Sequence, residues 1–257
     1  MSIKGIKVAI LLSYICIASF SAAIITPALP QIQKTFSLSH GVVGWVISIF
    51  LFGYVIGQLI YGPLANRYGR LKALRIGMLI NILGVILCIF SVYVHSYFPL
   101  LIGRLITALG AASGLTCTFI LINELIPKEK IKQVMSYTIL SFTCGLGVAV
   151  TIGGVITQYS QWQYCFWVLL FHGIAMLLLI NLYKEPLKKP KELNLRSICS
   201  GYLCALKSKK LIIYSLIAGF VSAFSYCYSA AAPIYAQKDL YLPVSEYGYW
   251  NLLNMLG

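Results

Sequence analysis

Seven apolar runs, each about long enough to cross a bilayer, constrain this chain more than any other feature. They cover roughly residues 8–29, 42–62, 73–94, 99–125, 134–158, 163–183 and 211–234, and an eighth begins near Tyr247 and stops at Gly257. About 20 apolar residues in a helix cross the hydrocarbon core, where every backbone polar group must be satisfied within the segment. That length, repeated seven times, makes the chain an all-α integral membrane protein with the lipid bilayer as its first partner. Only 10% of its residues are charged and its mean hydropathy is +0.86; soluble domains carry about a quarter charged residues. The first run continues past Ser21-Ala22-Ala23, where a secretory leader would be cut, so it reads as an uncleaved first helix.

A formal charge of +14 in a soluble protein would suggest nucleic acid. Here the basic residues are sorted by side. If the N-terminus is inside, 17 of the 20 Lys and Arg fall on the inner side. Lys4 and Lys7 precede the first span; Arg67, Arg70, Lys72 and Arg75 follow the second; Lys128, Lys130 and Lys132 follow the fourth. Lys184, Lys188, Lys189, Lys191, Arg196, Lys207, Lys209 and Lys210 follow the sixth, Lys34 and Lys238 lie outside, and Arg104 lies within a span. This is the positive-inside bias. It predicts a multi-pass protein with a cytoplasmic N-terminus and no nucleic-acid partner.

The organisation expected is a six-helix transmembrane bundle over 1–183, a basic cytoplasmic loop over 184–210, and the incomplete start of a second bundle over 211–257. A weak repeat supports two related halves: Gln33, Lys34, Leu38 and Gly44 recur as Gln237, Lys238, Leu242 and Gly248, an offset of 204. Small residues line one face of several spans, among them Gly53 and Gly57, Gly103, Thr107, Gly110 and Gly114, and Ser141, Gly145, Ala149, Gly153 and Gly154. Such faces let helix backbones approach closely in a bilayer.

The second and third spans are joined by Gly57–Arg75, in which Gly62-Pro63 is expected to break the helix and Gly69 to make the turn. Arg67 and Arg70 lie on the same side as Glu124, which closes the fourth span, so an ion pair joining the helix ends is expected; a solvated glutamate is the alternative. Arg104 is the charged residue well inside a span. Intramembrane charges mark functional sites by default, so it is either a substrate or proton-coupling group or a structural tie to carbonyls of the first span. Pro27 and Pro30 either bend the first span beside a cavity or end it. Tyr54, Tyr226, Tyr228 and Ser229 either line an amphipathic cavity or pack the core. His172 reads as a packed neutral histidine. The eight cysteines (16, 88, 117, 144, 165, 199, 204 and 227) lack CxxC or Cys/His spacing and read as buried thiols, with no metal site. The absence of GxxxxGK[ST] and of an assembled nucleophile set leaves no enzymatic reading and no cofactor.

With the topology assigned, Gly62-Pro-Leu-Ala-Asn66-Arg67-Tyr-Gly69-Arg70-Leu-Lys72 resembles the signature loop of the major facilitator superfamily. QLIYGP at 58–63 and TPALPQI at 26–32 are similar to its Bcr/CflA-like branch of drug/proton antiporters. Arg104 with Gly110, Glu124 with Ile-Pro-Lys-Glu, and Gly145-xxx-Ala149-Val150-xx-Gly153-Gly154 before Trp162 and Phe166 resemble further motifs in the order expected of helices four to six. Tyr228-Ser-Ala-Ala-Ala-Pro233 and Tyr247-Gly-Tyr fit helices seven and eight.

The resemblance implies a major facilitator fold with the N-terminal six-helix bundle, helix seven and the start of helix eight. It implies proton-coupled efflux of drugs or other small amphipathic molecules across a cell (inner) membrane. Gly62, Asn66, Arg67, Gly69, Arg70 and Glu124 would form the gating loop. Three departures accompany it. Asn66 stands where the family usually has aspartate, Ala149-Val150 where it has Gly-Pro, and no aspartate lies in the first helix near Ala23. The family has twelve helices, so a truncated product is expected. The alternatives are a transporter of another metabolite, an inactive relic, or a half that joins a separately encoded C-terminal half. A seven-helix receptor is a weaker rival.

Overall fold

Helical hydrogen bonding carries each apolar run through the bilayer, and the helices form at the lengths the runs require. A computed structural model describes residues 5–187, 189–190 and 194–254, without the side chains of residues 40, 195, 225, 229, 230 and 252–254. Lys4, Lys188, Lys191 and Glu192, and the side chain of Ser229, therefore lie outside the described residues.

In chain order the helices are α1 Gly5–Ala23, α2 Leu29–Thr35, α3 His40–Val43, α4 Trp45–Tyr68, α5 Arg70–Tyr93, α6 Tyr97–Leu125, α7 Lys128–Tyr159, α8 Tyr164–Leu179, α9 Leu195–Lys207, α10 Lys209–Lys238 and α11 Val244–Asn254. Seven segments among the described residues are long and apolar enough to span: Gly5–Thr35, Gly41–Tyr68, Arg70–Tyr93, Tyr97–Leu125, Lys128–Tyr159, Tyr164–Leu182 and Lys209–Lys238. They match the seven runs in order.

Three local details differ from the expectation or resolve it. Gly62-Pro63 does not break the second span: α4 runs through both residues to Tyr68, and Gly69 alone makes the turn, at φ 106° and ψ 151°. A proline inside a helix removes one donor and need not end the helix if the freed carbonyl finds another partner, as it does here (below). Pro27 and Pro30 interrupt the first span without ending it. Pro27 sits in a 3₁₀ turn at Thr26–Ala28, and the helix resumes as α2 with Pro30 in its first turn, where a missing N–H costs little. The basic stretch 184–210 contains α9, begun by Asn194, whose Oδ1 accepts from the N–H groups of Arg196 (3.0 Å) and Ser197 (3.4 Å).

Small residues set the packing. A Cβ on Gly110 would run into the backbone N of Asn81 and the carbonyl of Gly77, so α5 and α6 meet backbone to backbone. On the neighbouring face of α6, Gly53 and Gly57 of α4 sit against Leu105, Ala108, Leu109 and Ala112. α7 packs on α1 through Gly145, which meets Cys16 and Ser19, and Gly153, which meets the carbonyl of Ile24; Gly154 faces Val244 and Gly248 of α11. Ala149 and Val150 are buried between them. The apolar interior divides into two clusters, one around Leu11, Tyr61, Leu74, Leu121 and Tyr183 at the basic end. The other lies around Ile25, Ile32, Val46, Leu100 and Phe166 at the opposite end. Cys88, Cys117 and Cys165 are buried as expected, whereas Cys144, Cys199, Cys204 and Cys227 are exposed, so the reading of all eight as buried thiols is corrected. Cys144 lies on α7, Cys199 and Cys204 on α9, and Cys227 on α10.

The repeat extends to the backbone. Ser37 (φ 51°) and Tyr241 (φ 53°), 204 residues apart, both adopt the left-handed conformation, which residues other than glycine rarely enter. The N–H of Val43 bonds to the carbonyl of Ser39 (3.2 Å), and that of Tyr247 to the carbonyl of Pro243 (3.1 Å), again at the same offset. Gln33, Lys34, Gln237 and Lys238 line one cavity of about 270 Å³ with Pro30 and Ile234. The first hairpins of the two halves thus face each other.

Candidate functional site

The α4–α5 turn organises the basic end of the bundle. Gly69 holds a backbone conformation that an L side chain rarely adopts, and a Cβ there would lie 2.7 Å from Oε2 of Glu185. The turn points the Arg70 side chain back under α4 and toward α6. Its Nε donates to Glu124 Oε2 at 2.9 Å, its Nη2 to Glu124 Oε1 at 2.7 Å, and its Nη1 to the carbonyl of Ala65 at 2.9 Å. The Arg70 side chain is 9% exposed and that of Glu124 32%, so the pair is partly shielded from solvent. Bidentate arginine–carboxylate pairs are the stronger, geometrically specific kind. It is the one ion pair among the described residues.

A second carboxylate completes the arrangement. Glu185, just past the sixth span, accepts from the backbone N–H groups of Arg70 (3.0 Å) and Leu71 (2.9 Å). A carboxylate at a helix N-terminus satisfies orphan donors and favours the positive end of the helix dipole. One turn thereby joins α4, α5, the end of α6 and the end of the sixth span. Two further links lie at the same end: Arg75 Nη2 donates to Asn181 Oδ1 at 2.8 Å, and Lys7 Nζ to the carbonyl of Leu182 at 3.0 Å.

Of the expected pairing, Arg70 meets Glu124 and Arg67 does not. Arg67 is exposed, Asn66 half-buried and Gly62 half-buried on the α4 surface. Sequence reasoning does not single out Glu185, which stands beside Lys184 at the start of the basic stretch 184–210; its one signal is an acid close to the end of an apolar span, on the same side as Arg67, Arg70, Lys72 and Arg75.

Arg104 is fully buried. Its Nη1 donates to the carbonyl of Ser21 in α1 at 2.8 Å and its Nε to that of Val46 in α4 at 3.2 Å. The guanidinium lies 4.4 Å from the centroid of Phe50. Nη2 has no hydrogen-bond partner among the described residues. The tie to the first span is thus present and extends to the second. Burying a charged group without full pairing costs several kcal/mol, which the carbonyls and the ring offset only in part.

Of the cavity candidates, Tyr54 and Tyr226 pack on the same core cluster at the basic end, whereas Pro30 borders the cavity at the opposite end. Tyr54 stacks on Phe50, with centroids 6.4 Å apart, and its buried hydroxyl has no hydrogen-bond partner among the described residues. Tyr228 is exposed and Pro27 buried. His172 packs on Phe20, centroids 5.0 Å apart.

The sequence model of the Major Facilitator Superfamily matches residues 11–257. The chain belongs to this family, whose members are transporters rather than enzymes. A bicyclomycin resistance protein homolog of Haemophilus influenzae is 25% identical over 240 residues, which cover 92% of this chain and 60% of that protein. An uncharacterised MFS-type transporter of Bacillus subtilis, YdgK, is 28% identical over 222 residues, covering 84% of this chain and 54% of that one. The chain thus spans less than two thirds of the length of these relatives. The fold is similar to that of a D-xylose–proton symporter (16% identity, TM-score 0.71, covering 97% of this chain and 65% of that one). It is also similar to a bacterial homolog of the human lysosomal transporter Spinster (17% identity, TM-score 0.73, covering 99% and 60%).

Proposed function

We propose that this chain serves proton-coupled export of drugs or other small amphipathic molecules from the cytoplasm across a bacterial inner membrane, with its N-terminus and the Arg70 turn on the cytoplasmic side. The likeness to a bicyclomycin resistance protein homolog over 92% of the chain is the observation that carries the substrate class. The charge bias carries the orientation. In this reading Gly62, Asn66, Arg67, Gly69, Arg70 and Glu124, joined by Glu185, form the gating loop. They hold the cytoplasmic ends of the second to fourth and sixth spans as one rigid body. Arg104, buried and with Nη2 unpartnered among the described residues, is the candidate for substrate or proton coupling, since a buried guanidinium attracts anionic groups and raises the cost of a second positive charge nearby. Gly145, Ala149, Val150, Gly153 and Gly154 form the surface on which α7 meets α1 and α11.

Energised cells expressing the chain, with membrane insertion verified, test the reading. Loss of an accumulated amphipathic dye that a protonophore abolishes is the expected result; no gradient-dependent loss would contradict it. A second reading is favoured by α10, whose most apolar window has no buried residue among those described. In this reading the chain is a half that works with a separately encoded C-terminal part, and co-expression with such a part restores efflux that the chain alone lacks. Competition by metabolites against the dye separates drug export from transport of another solute.

A further inference from the structure

Pro63 has no N–H, so the carbonyl of Leu59, one turn earlier in α4, has no helical donor. In a bilayer such a carbonyl needs another partner. The hydroxyl of Tyr202 in α9 supplies it, donating to the Leu59 oxygen at 2.7 Å. A Cβ on Gly62 would lie 4.0 Å from the Tyr202 oxygen, an ordinary contact, so the approach does not depend on glycine there. A proline inside the second span therefore creates the attachment point for the helix that links the two halves.

The attachment encloses a groove of about 540 Å³ between α4, α9 and α10, lined by Leu59, Tyr202, Leu206, Leu211, Ile212 and Leu216 among others. Leu59, Leu206, Leu211 and Leu216 each expose at least half of their surface. The α9 and α10 walls meet at the turn Lys207-Ser208-Lys209-Lys210, which lies in sequence between the lining residues Leu206 and Leu211. The turn that joins the α9 and α10 walls of the apolar groove thus carries three lysines. The ion pair between Arg70 and Glu124 is the one among the described residues, so no described carboxylate neutralises them.

We propose that this groove binds an anionic phospholipid, with an acyl chain along the leucines and the headgroup held by Lys207, Lys209 and Lys210. An amphipathic helix with a basic cluster beside a transmembrane helix is attracted to anionic headgroups, each basic residue contributing roughly fivefold in affinity. A zwitterionic lipid fills the same apolar volume and leaves the ammonium groups without net compensation. The site rests on residues 184–210 lying at the membrane surface and not on transport.

Purified full-length chain in detergent is offered equal amounts of phosphatidylglycerol and phosphatidylethanolamine with identical acyl chains, and bound lipid is counted by native mass spectrometry. Phosphatidylglycerol is expected to be retained in preference by about fivefold or more. The combined Lys207→Gln, Lys209→Gln and Lys210→Gln variant is expected to lose that preference with unchanged helical circular dichroism. Leu216→Trp, which fills the groove, is expected to lower retention of both lipids. Equal retention by the wild type, or a preference that survives the triple substitution, overturns the proposal. So does a lipid-free dimer that Leu216→Trp abolishes, because a second copy would then be the occupant. No transport is read, so this result stands apart from the efflux experiment.

Discussion

Glu185 holds the first turn of α5 from across the bundle, its two carboxylate oxygens accepting the backbone N–H groups of Arg70 at 3.0 Å and Leu71 at 2.9 Å. The Arg70 side chain faces the other way and grips Glu124. The same residue thus joins two acids on two different elements. Glu185→Gln keeps an acceptor and loses the charge, and is expected to cost about 0.5–2 kcal/mol, the range of N-terminal caps and helix-dipole contacts. Hydrogen exchange offers a local check: the amides of Arg70 and Leu71 should exchange faster in the variant while those in the middle of α5 stay unchanged. Equal protection in both proteins would remove Glu185 from the clasp.

Arg104 is expected to resist replacement by lysine. One ammonium cannot reproduce a planar fork that reaches the Ser21 and Val46 carbonyls and rests on Phe50. Arg104→Lys should lower the unfolding temperature in detergent, with gradient-dependent efflux falling only in proportion to folded protein wherever the parent supports it. Arg104→Gln separates the roles: if fit alone matters it should unfold like the lysine variant and retain transport in proportion to folded protein. Transport lost beyond the loss of folded protein marks the charge as functional.

Two glycines of the same type should behave oppositely. Gly110→Ala places a methyl group against the Asn81 backbone N and the Gly77 carbonyl, which cannot move without separating α5 from α6. A loss of about 2–5 kcal/mol is expected, the scale of severe core defects. Gly219 of α10 has nothing within 4 Å of such a carbon. Gly219→Ala should therefore be neutral or stabilise by up to about 1 kcal/mol through helix propensity. Thermal unfolding of both variants in the same detergent checks the contrast.

Asn66→Asp is expected to change stability and transport little. The Asn66 side chain makes no hydrogen bond among the described residues and is half-buried beside the exposed Arg67. Strong transport gained by this single change, in the efflux assay above, would show that the missing carboxylate is the limiting feature of the loop.

Much of this was legible in the chain because membrane helices obey two blunt rules, length and charge side. The seven spans follow from apolar length, and Arg70 opposite Glu124 follows from both lying at the basic end. What was not legible depends on backbone geometry. Pro63 looks like a helix terminator, and only the Tyr202 hydroxyl, 139 positions later in the chain, explains why α4 passes through it. Glu185 is surrounded in sequence by lysines and in space by backbone N–H groups, and composition reports only the first. The offset of 204 was a weak pattern of four residues until Ser37 and Tyr241 showed the same left-handed backbone. Arg104 stood out as an intramembrane charge, but which carbonyls receive it depends on how α1 and α4 cross α6.

The clasp is tested most directly by a double-mutant cycle between Arg70 and Glu124, using Arg70→Ala, Glu124→Ala and the double variant, with unfolding free energy of the purified chain as the readout. A bidentate, partly shielded pair predicts a coupling energy of about 1–3 kcal/mol, the double variant losing clearly less than the sum of the two singles. Additivity within about 0.5 kcal/mol would mean that the two side chains do not brace the helix ends together, and would contradict the account.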